Sequence, residues 1–349
     1  MTPFGRVDAF ITSRLLNRGQ EQQRRYFNRI RHHLAEGEWR QVGRLASLPI
    51  VHHPGYVCPL PPNHRFKMMK FHYLYEILLG DGVIKKDKQV IQPEQVSREL
   101  ASAVHCPLYV DKFFDGKTSE TEQRATGFQW TPGLASRVRY ETGGTVLAAK
   151  LSLEFGLACS TGGGTHHAFP DRGSGYCLIN DLAVTAKHLV QSGLAEKVLI
   201  VDLDVHQGDG TAFIFENHPD VYTLSFHCQN NFPLRKQKSD LDVGLAVGTG
   251  DKDYLNTLAE YLPSVLDKIH PDVILYDAGV DPHEKDELGK LKLSDNGLYL
   301  RDTYVLREAV CRGIPVATVI GGGYDEIMRL SARHTIIHRV AQQMWNTYL

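Results

Sequence analysis

The sequence predicts an α/β protein whose single domain contains a mostly parallel sheet with helices on both faces. From about Pro49 onward, apolar strand-like runs alternate with helical stretches. The runs are nearly continuous in Val, Ile and Leu, which is typical of parallel strands buried on both faces. The connections are short and no Pro/Gly/Ser-rich linker divides the core, so one domain is favoured for the 349 residues, although that length alone also allows two.

The individual elements are predicted from the apolar runs, the glycines that interrupt them and the capping residues. Gly80-Asp81-Gly82 ends the first helix, and Asn180 is a candidate N-cap of a later one. The predicted helices are residues 66–79, 95–104, 132–155, 180–191, 254–269, 295–311 and 326–344. The predicted strands are residues 157–160, 198–205, 221–227, 273–276 and 316–320.

The first 44 residues differ from the rest of the chain in composition. They contain nine arginines against four acidic residues, and no lysine. We interpret residues 1–44 as a solvated, Arg-rich extension, helical around residues 20–35, that precedes a folded domain at residues 45–349. An organellar targeting peptide is the alternative, because such peptides are also Arg-rich, but they are poor in acidic residues.

Charge and hydropathy exclude several classes of protein. Lys and Arg total 39 and Asp and Glu total 40, so the net charge of −1 gives no electrostatic reason to expect direct binding of nucleic acid. The longest apolar runs, such as residues 314–320, fall far short of the roughly 20 residues of a membrane-spanning helix. The N-terminus has no apolar core of a secretory signal, and the six cysteines form no C-x-x-C pair. We expect a cytoplasmic or nuclear protein with reduced thiols and no membrane partner, with organellar targeting by the N-terminus as the alternative.

Chemically active side chains follow four of the predicted strands. In open α/β sheets, ligands bind beyond the carboxyl ends of the strands, so these side chains are expected to meet at one site. In chain order the four groups are Gly162-Gly163-Gly164 with His166-His167, Asp202 with Asp204 and His206, Asp277 with Asp281, and Gly321-Gly322-Gly323-Tyr324.

The motif Asp202-x-Asp204-x-His206 predicts a metal site. In an extended segment the three side chains share one face, so Asp204 and His206 can bind one ion. A row of acids at the end of a buried strand is costly without a cation. Nitrogen and oxygen ligands without cysteine fit a catalytic zinc, which takes three protein ligands. Asp281 is the best candidate for the third ligand, while a structural role is the alternative for Asp277.

His166 and His167 are candidates for acid–base catalysis. Only this His-His pair follows a triple-glycine turn at a strand end, and both rings can reach one site only from an irregular loop. Each ring needs an acceptor for its other nitrogen, for which Asp202 and Asp209 are available. Tyr324 could donate a hydrogen bond to a developing oxyanion.

Together these motifs resemble the zinc-dependent histone deacetylase family. The resemblance runs from about Pro54 to the C-terminus and rests on residues 162–167, 171–180 (DRGSGYCLIN), 202–210 (DLDVHQGDG), 277–281 and 321–324. Residues 142–145 and 288–294 resemble the class IV branch most.

The resemblance implies an arginase-like α/β fold in a catalytic domain at residues 45–349, and hydrolysis of the side-chain amide of acylated lysine in histones or other proteins. The implied zinc ligands are Asp204, His206 and Asp281. The implied catalytic residues are His166, His167 as the general base, Tyr324 on the scissile carbonyl, and Asp202 and Asp209 behind the two imidazoles. Class IV relatives act on long-chain fatty acyl-lysine, so acetyl is not the only acyl group implied.

The resemblance also implies a substrate tunnel and a second cation. The implied tunnel residues are Gly175, Tyr176 and Phe232, with Phe in many relatives where Tyr176 stands here. The implied K⁺ site uses main-chain oxygens of Asp202, Asp204 and His206 and is completed by Ser225 and Phe226.

Three alternatives remain beside this interpretation. An arginase-type enzyme with two Mn²⁺ needs bridging acids where this chain has Gly208 and Gly279, which favours a single metal. A small-molecule deacetylase acting on acetylpolyamines would need the same core chemistry. A catalytically silent scaffold in a chromatin assembly is the third alternative.

Overall fold

The strands form one parallel sheet. A computed structural model describes residues 47–85 and 89–349, so the extension predicted at residues 1–44 and its helix lie outside the described residues. The strands are β1 (Ile50–Val51), β2 (Val90–Ile91), β3 (Leu157–Ser160), β4 (Val198–Asp202), β5 (Val221–Cys228), β6 (Leu241–Leu245), β7 (Val273–Asp277) and β8 (Val316–Val319). Their order is β2-β1-β3-β8-β7-β4-β5-β6, and every neighbouring pair is parallel. The predicted fold class is confirmed.

The helices connect these strands along the chain, and the last helix follows the last strand. They are α1 (Lys70–Gly80), α2 (Arg98–Ala101), α3 (Pro107–Phe114), α4 (Glu120–Thr126), α5 (Pro132–Phe155), α6 (Asp181–Gln191), α7 (Asp209–Phe215), α8 (Asp251–Ile269), α9 (Asp295–Val310) and α10 (Ile327–Tyr348). The central helix α5 has the predicted bounds. Thr131 Oγ1 caps it by accepting from Leu134 N at 3.0 Å, and Gly156 ends it with a φ of 84°.

Two core clusters lie on opposite faces of the sheet. Leu199 and Val201 of β4 belong to one cluster, whereas Val198 and Ile200 belong to the other, and all four are at most 1% exposed. Successive side chains therefore point to opposite buried faces, which explains the unbroken apolar runs.

Strand β4 is shorter than predicted and ends at Asp202 rather than at residue 205. Asp202 Oδ1 accepts a hydrogen bond from Asp204 N at 3.1 Å, and Asp204 Oδ1 accepts from His206 N at 2.9 Å. These side-chain acceptors bend the main chain away from the sheet. The prediction of one extended face for all three residues was therefore wrong.

Other elements also differ from the prediction. Helix α1 begins four residues late, and the helix predicted at residues 95–104 is only the short α2, whose N-cap Ser97 accepts from Leu100 N at 3.1 Å. The strands β1 and β2 have two residues each, too few to show a pattern. The helices α3, α4 and α7 were not predicted. None of the six cysteines is paired, and no helix within residues 47–85 and 89–349 is long and apolar enough to cross a membrane.

Candidate active site

The four strands that carry the predicted motifs are consecutive neighbours in the sheet, in the order β3-β8-β7-β4. Because they are parallel, the segments after them meet at one edge. A single cavity there is lined by His166, His167, Asp204, His206 and Tyr324. The convergence expected from the sequence is therefore present.

Asp204, His206 and Asp281 form a cluster in which nitrogen and oxygen atoms lie within 4.8 Å of one another. His206 Nδ1 is 2.9 Å from Asp204 Oδ1 and 3.1 Å from Asp281 Oδ2. Main-chain donors fix both carboxylates, since Gly322 N donates to Asp204 Oδ2 at 2.8 Å and Val205 N to Asp281 Oδ1 at 2.8 Å. The two carboxylates are thus held in place by the backbone, and the carboxylates in turn contact the His206 ring.

This donor set fits one divalent cation. Asp281 Oδ2 is buried and accepts no well-oriented hydrogen bond. Burial lowers the pKa of His206, but Asp204 and Asp281 outweigh that effect and raise it to about 10. Burial and the charge of Asp204 raise the pKa of Asp281 to about 6. The cluster therefore holds protons where a cation could replace them.

Glycines stand at the two positions where a second, bridging ion would need carboxylate ligands. A Cβ at Gly279 would lie 2.6 Å from Asp204 Oδ2, and one at Gly208 would lie 2.4 Å from Asp202 Oδ2. Side chains at these positions would displace the carboxylates already there. His166, Asp202 and Asp277 also lie within 4.8 Å of one another, but His166 Nδ1 is already bonded to Asp202 Oδ2 at 2.7 Å.

His166 and His167 form a dyad in which each imidazole is held by its own carboxylate. His166 Nδ1 is 2.7 Å from Asp202 Oδ2, and His167 Nδ1 is 2.6 Å from Asp209 Oδ1. Burial lowers the pKa of His166, but the charges of Asp202 and Asp204 hold it well above its ordinary value. Burial and the charge of His166 lower the pKa of His167 to about 4. The two neighbouring imidazoles are thus tuned in opposite directions.

The loop that presents the dyad is anchored by Asp181, which sequence reasoning missed. Gly163 and Gly164 have φ values of 90° and 92°, which only glycine adopts readily. Gly164 N donates to Asp181 Oδ2 at 3.0 Å, and Thr165 N donates to Asp181 Oδ1 at 2.7 Å. The signal was available, because Asp181 directly follows the 171–180 motif.

Tyr324 lies beside the Asp204–His206–Asp281 cluster. Its ring centroid is 6.3 Å from that of His206 and 5.9 Å from that of Tyr176. Tyr324 N donates to Asp286 Oδ2 at 2.7 Å, which fixes the turn that follows Gly323. Burial and the charges of Asp281 and Asp204 hold the pKa of the phenol well above 10, so it remains a hydrogen-bond donor at neutral pH.

Aromatic side chains form the walls of the approach to the site. Phe232 is perpendicular to His167, with ring centroids 4.9 Å apart. A Cβ at Gly175 would lie 2.7 Å from His167 Cδ2 and 3.0 Å from Phe232 Cε1, so a side chain there would fill the passage. Tyr176 packs against Phe66 and Phe128, with both centroid distances 5.5 Å. Sequence reasoning missed Phe66 and Phe128, which belong to distant loops without a motif.

Asp202, Ser225 and Phe226, which were suggested for potassium, lie on the neighbouring strands β4 and β5. Ser225 is the partner of Asp202 in the register of β4 and β5, and Ser225 Oγ is 3.0 Å from His227 Nδ1. Phe226 follows with its side chain fully buried. The structure therefore places Asp202, Ser225 and Phe226 side by side.

Sequence reasoning also missed three buried charged residues that line the same cavity. Lys70, Arg137 and Glu141 are each 2% exposed. They come from α1 and α5, where no local pattern distinguishes them from solvated helix positions.

The parallel sheet and this site define an α/β protein with a candidate metal centre beside a histidine dyad, and comparisons with known proteins identify its family. Residues 64–340 match the histone deacetylase domain family. The chain is 50% identical over 300 residues to an uncharacterized protein of Picosynechococcus sp., which covers 86% of this chain and all of that protein. It is 31% identical to histone deacetylase 2 of Arabidopsis thaliana, over 77% of this chain and 71% of that protein.

Two further similarities concern a bacterial protein and a solved structure. The chain is 28% identical to the acetoin utilization protein AcuC of Staphylococcus aureus, over 82% of this chain and 80% of that protein. The crystal structure of the HDA15 HD domain superposes with a TM-score of 0.73 at 24% identity, covering 85% of this chain and 88% of that one, and supports the fold. The protein belongs to the histone deacetylase family and is a hydrolase of the deacetylase type.

Proposed function

We propose that the protein is a zinc-dependent lysine deacylase of the class IV type, which hydrolyses the side-chain amide of acylated lysine in a protein. The observation that carries this proposal is the meeting of a three-ligand cluster, a histidine dyad and a buried phenol in one cavity. Asp204, His206 and Asp281 would hold the zinc. When bound, zinc supplies a Lewis acid that polarises the scissile carbonyl and makes water more acidic.

The dyad supplies the proton transfers. Nδ1 of His167 faces Asp209, so its Nε2 is the nitrogen that would accept a proton from the attacking water in place of its contact with His166. His166 is held in the cationic form by Asp202, and His166 Nε2 lies 3.1 Å from His167 Nε2. A protonated imidazole of the dyad would therefore donate a proton to the departing lysine amine.

Tyr324 and the aromatic walls orient the substrate. The protonated phenol of Tyr324 donates a hydrogen bond to the carbonyl oxygen as negative charge develops on it. Phe232 and Tyr176 offer apolar surface to the aliphatic part of an acylated lysine, which carries no charge to desolvate.

The potassium site remains part of this proposal. Main-chain oxygens of Asp202, Asp204 and His206, completed by Ser225 and Phe226, would hold the ion beneath the zinc ligands. The ion would compensate part of the negative charge that the buried carboxylates bring to this end of the sheet.

The proposal is tested by turnover of acyl-lysine peptides, measured before and after treatment with a zinc chelator. We expect activity to disappear with the chelator and in Asp204→Ala, and to return only to the wild-type protein when zinc is restored. Full activity of Asp204→Ala would exclude the proposed centre. The AcuC similarity supports a small-molecule amide as the second candidate, so acetylpolyamines belong in the same assay; turnover of these alone would favour that candidate.

A further inference from the structure

Positive charge is concentrated on the segments around the entrance of the active-site cavity, which we call the cavity mouth. These segments are residues 64–67, 171–176 and 229–238, which carry the wall residues Phe66, Tyr176 and Phe232, and residues 284–290, which are bonded to Tyr324. Together they contain eight Lys and Arg residues and four Asp and Glu residues, a net charge of +4 in a chain whose total is −1. The rest of the chain is therefore negative, and its charge sets the cavity mouth apart.

Two ammonium groups are fixed beside Phe232. Lys236 Nζ donates to the carbonyl oxygens of the residues on either side of Phe232, at 2.8 and 2.7 Å. Lys290 Nζ donates to Asn230 O at 2.9 Å in the same loop. A carbonyl oxygen accepts a hydrogen bond but carries no net charge, so both ammonium groups remain positive beside this wall of the cavity.

Two further cations flank Phe66 in the chain. Arg65 is exposed and Lys67 is half-buried. In the part of the chain that the structure describes, neither of them has a carboxylate oxygen within 4.0 Å, and the same holds for Lys236 and Lys290. The positive charges beside both aromatic walls are therefore not neutralised by ion pairs.

The acidic residues of the cavity mouth do not offset these charges. Asp171 pairs with Arg172 at 2.8 Å, and Asp286 accepts hydrogen bonds from three main-chain N–H groups. Glu284 and Glu287 are the two other acidic residues, and both are exposed. The same segments also contain three more exposed cations, namely Arg235, Lys238 and Lys285.

We propose that the cavity mouth is a docking surface for acidic peptide segments, so that the preferred substrates are acyl-lysines with Asp or Glu at neighbouring positions. This inference rests on the proposed function and names its substrate class. An acyl-lysine side chain is neutral, so the charge preference comes from the neighbouring residues, which contact the mouth while the acyl-lysine enters the cavity. Complementary charge accelerates the encounter and favours the matching partner.

The same charges disfavour cationic substrates. A peptide segment rich in Lys and Arg brings positive charge to a positive surface, and like charges across an interface are unfavourable. An acetylpolyamine does the same, because its amines without an acetyl group are protonated at neutral pH. We therefore expect basic segments and acetylpolyamines to be poor substrates of this protein.

The first experiment uses the wild-type protein with zinc and three peptides that differ only in the residues beside one acyl-lysine. These residues are two Glu, two Gln or two Arg on each side, and an acetylpolyamine is the fourth substrate. We expect kcat/KM to be at least tenfold higher for the Glu peptide than for the Arg peptide at an ionic strength of about 0.01 M. The difference should shrink at about 0.15 M, because the Debye length falls from about 30 Å to about 8 Å.

Equal kcat/KM values for the three peptides, or a preference for the Arg peptide or the acetylpolyamine, would overturn the docking surface and leave a hydrolase in place. Absence of turnover of every substrate would contradict the proposed function instead. In that case fluorescence anisotropy of the same three peptides, labelled with a dye, decides the inference, because binding at the mouth does not require hydrolysis. Tighter binding of the Glu peptide would support it, and equal binding would overturn it.

The second experiment removes charge from both sides of the mouth. Arg65→Gln combined with Lys290→Gln should lower kcat/KM for the Glu peptide at least fivefold and change that for the Gln peptide less than twofold. Lys252→Gln combined with Lys268→Gln removes two exposed charges from α8 and is the matched control, with less than twofold change for either peptide. Equal losses on the Glu and Gln peptides would assign Arg65 and Lys290 to the shape of the mouth and overturn the proposal. If the double variant fails to fold, the salt dependence of the wild-type protein decides.

Discussion

His166 Nε2 and His167 Nε2 face each other at 3.1 Å, although the two residues are adjacent in the chain. Nδ1 of each ring contacts a carboxylate, Asp202 for His166 and Asp209 for His167. The two carboxylates belong to different elements, because Asp202 ends β4 and Asp209 begins α7. The dyad therefore depends on two separate segments for its orientation and its charge.

The first prediction concerns Asp209. Asp209→Asn should lower kcat by about 10- to 100-fold, because the amide removes the charge that orients His167 and stabilises its protonated form. Turnover of the best acyl-lysine peptide measures the loss. Asp253→Asn, an exposed carboxylate on α8, is the control and should leave kcat unchanged. A kcat within twofold of wild type in Asp209→Asn would show that His167 does not need this partner.

The second prediction concerns Tyr324. Tyr324→Phe removes only the hydroxyl, so kcat should fall by about 10²- to 10³-fold, as for loss of one oxyanion donor, with little change in KM. Thermal stability should be unaffected or slightly increased, because the buried hydroxyl loses no protein hydrogen bond. Tyr299→Phe, whose hydroxyl donates to Gln343 on the surface, is the matched control. A proportional rise in KM without a change in kcat would instead assign Tyr324 to ground-state binding.

The third prediction concerns Gly279. Gly279→Ala should reduce zinc content, because the added Cβ would lie 2.6 Å from Asp204 Oδ2 and 3.0 Å from Asp204 Cα. Elemental analysis of the purified protein measures the bound metal. Gly80→Ala is the control, since a Cβ there meets nothing within 4 Å. Wild-type zinc content in Gly279→Ala would mean that the position of Asp204 is not critical for binding.

The fourth prediction concerns pH and metal removal. Without metal, the pKa of Asp281 is raised to about 6 and that of His206 to about 10, so both groups bind protons more tightly in the folded than in the unfolded chain. Their contribution to stability is present at low pH and is lost as the pH rises through about 4 to 6 for Asp281 and about 6.5 to 10 for His206. Zinc replaces these protons, so its stabilising effect should grow with pH.

Thermal unfolding with zinc and with chelator at pH 5 and pH 7.5 tests this expectation. At free zinc about 100-fold above Kd, binding contributes about 2.7 kcal/mol, and Tm should rise by about 3 to 6 °C. The rise should be clearly smaller at pH 5. A rise that is equal at both pH values would contradict the proton exchange at this cluster.

Much of the site could be predicted from the sequence because its residues follow apolar runs. The strands β4, β7 and β8 begin where their runs of Val, Ile and Leu predicted them, and β3, which has only Leu157 of these residue types, was predicted from its place before the triple glycine. Parallel strands then bring their carboxyl ends to one edge, so the order of the motifs sufficed to predict that they meet.

Only the tertiary structure decided how the charges are paired. Lys70 reaches the carbonyl of Gly321 across 251 positions of the chain, and Arg137 pairs with Glu141 inside α5 rather than in solvent. Local patterns record which positions are apolar, whereas the partner of a buried charge depends on which distant segments the fold brings beside it. The sequence by itself determined the strands of the sheet and the edge at which their motifs meet. The packing of α1 and α5 decided that Lys70, Arg137 and Glu141 are buried in the cavity at that edge.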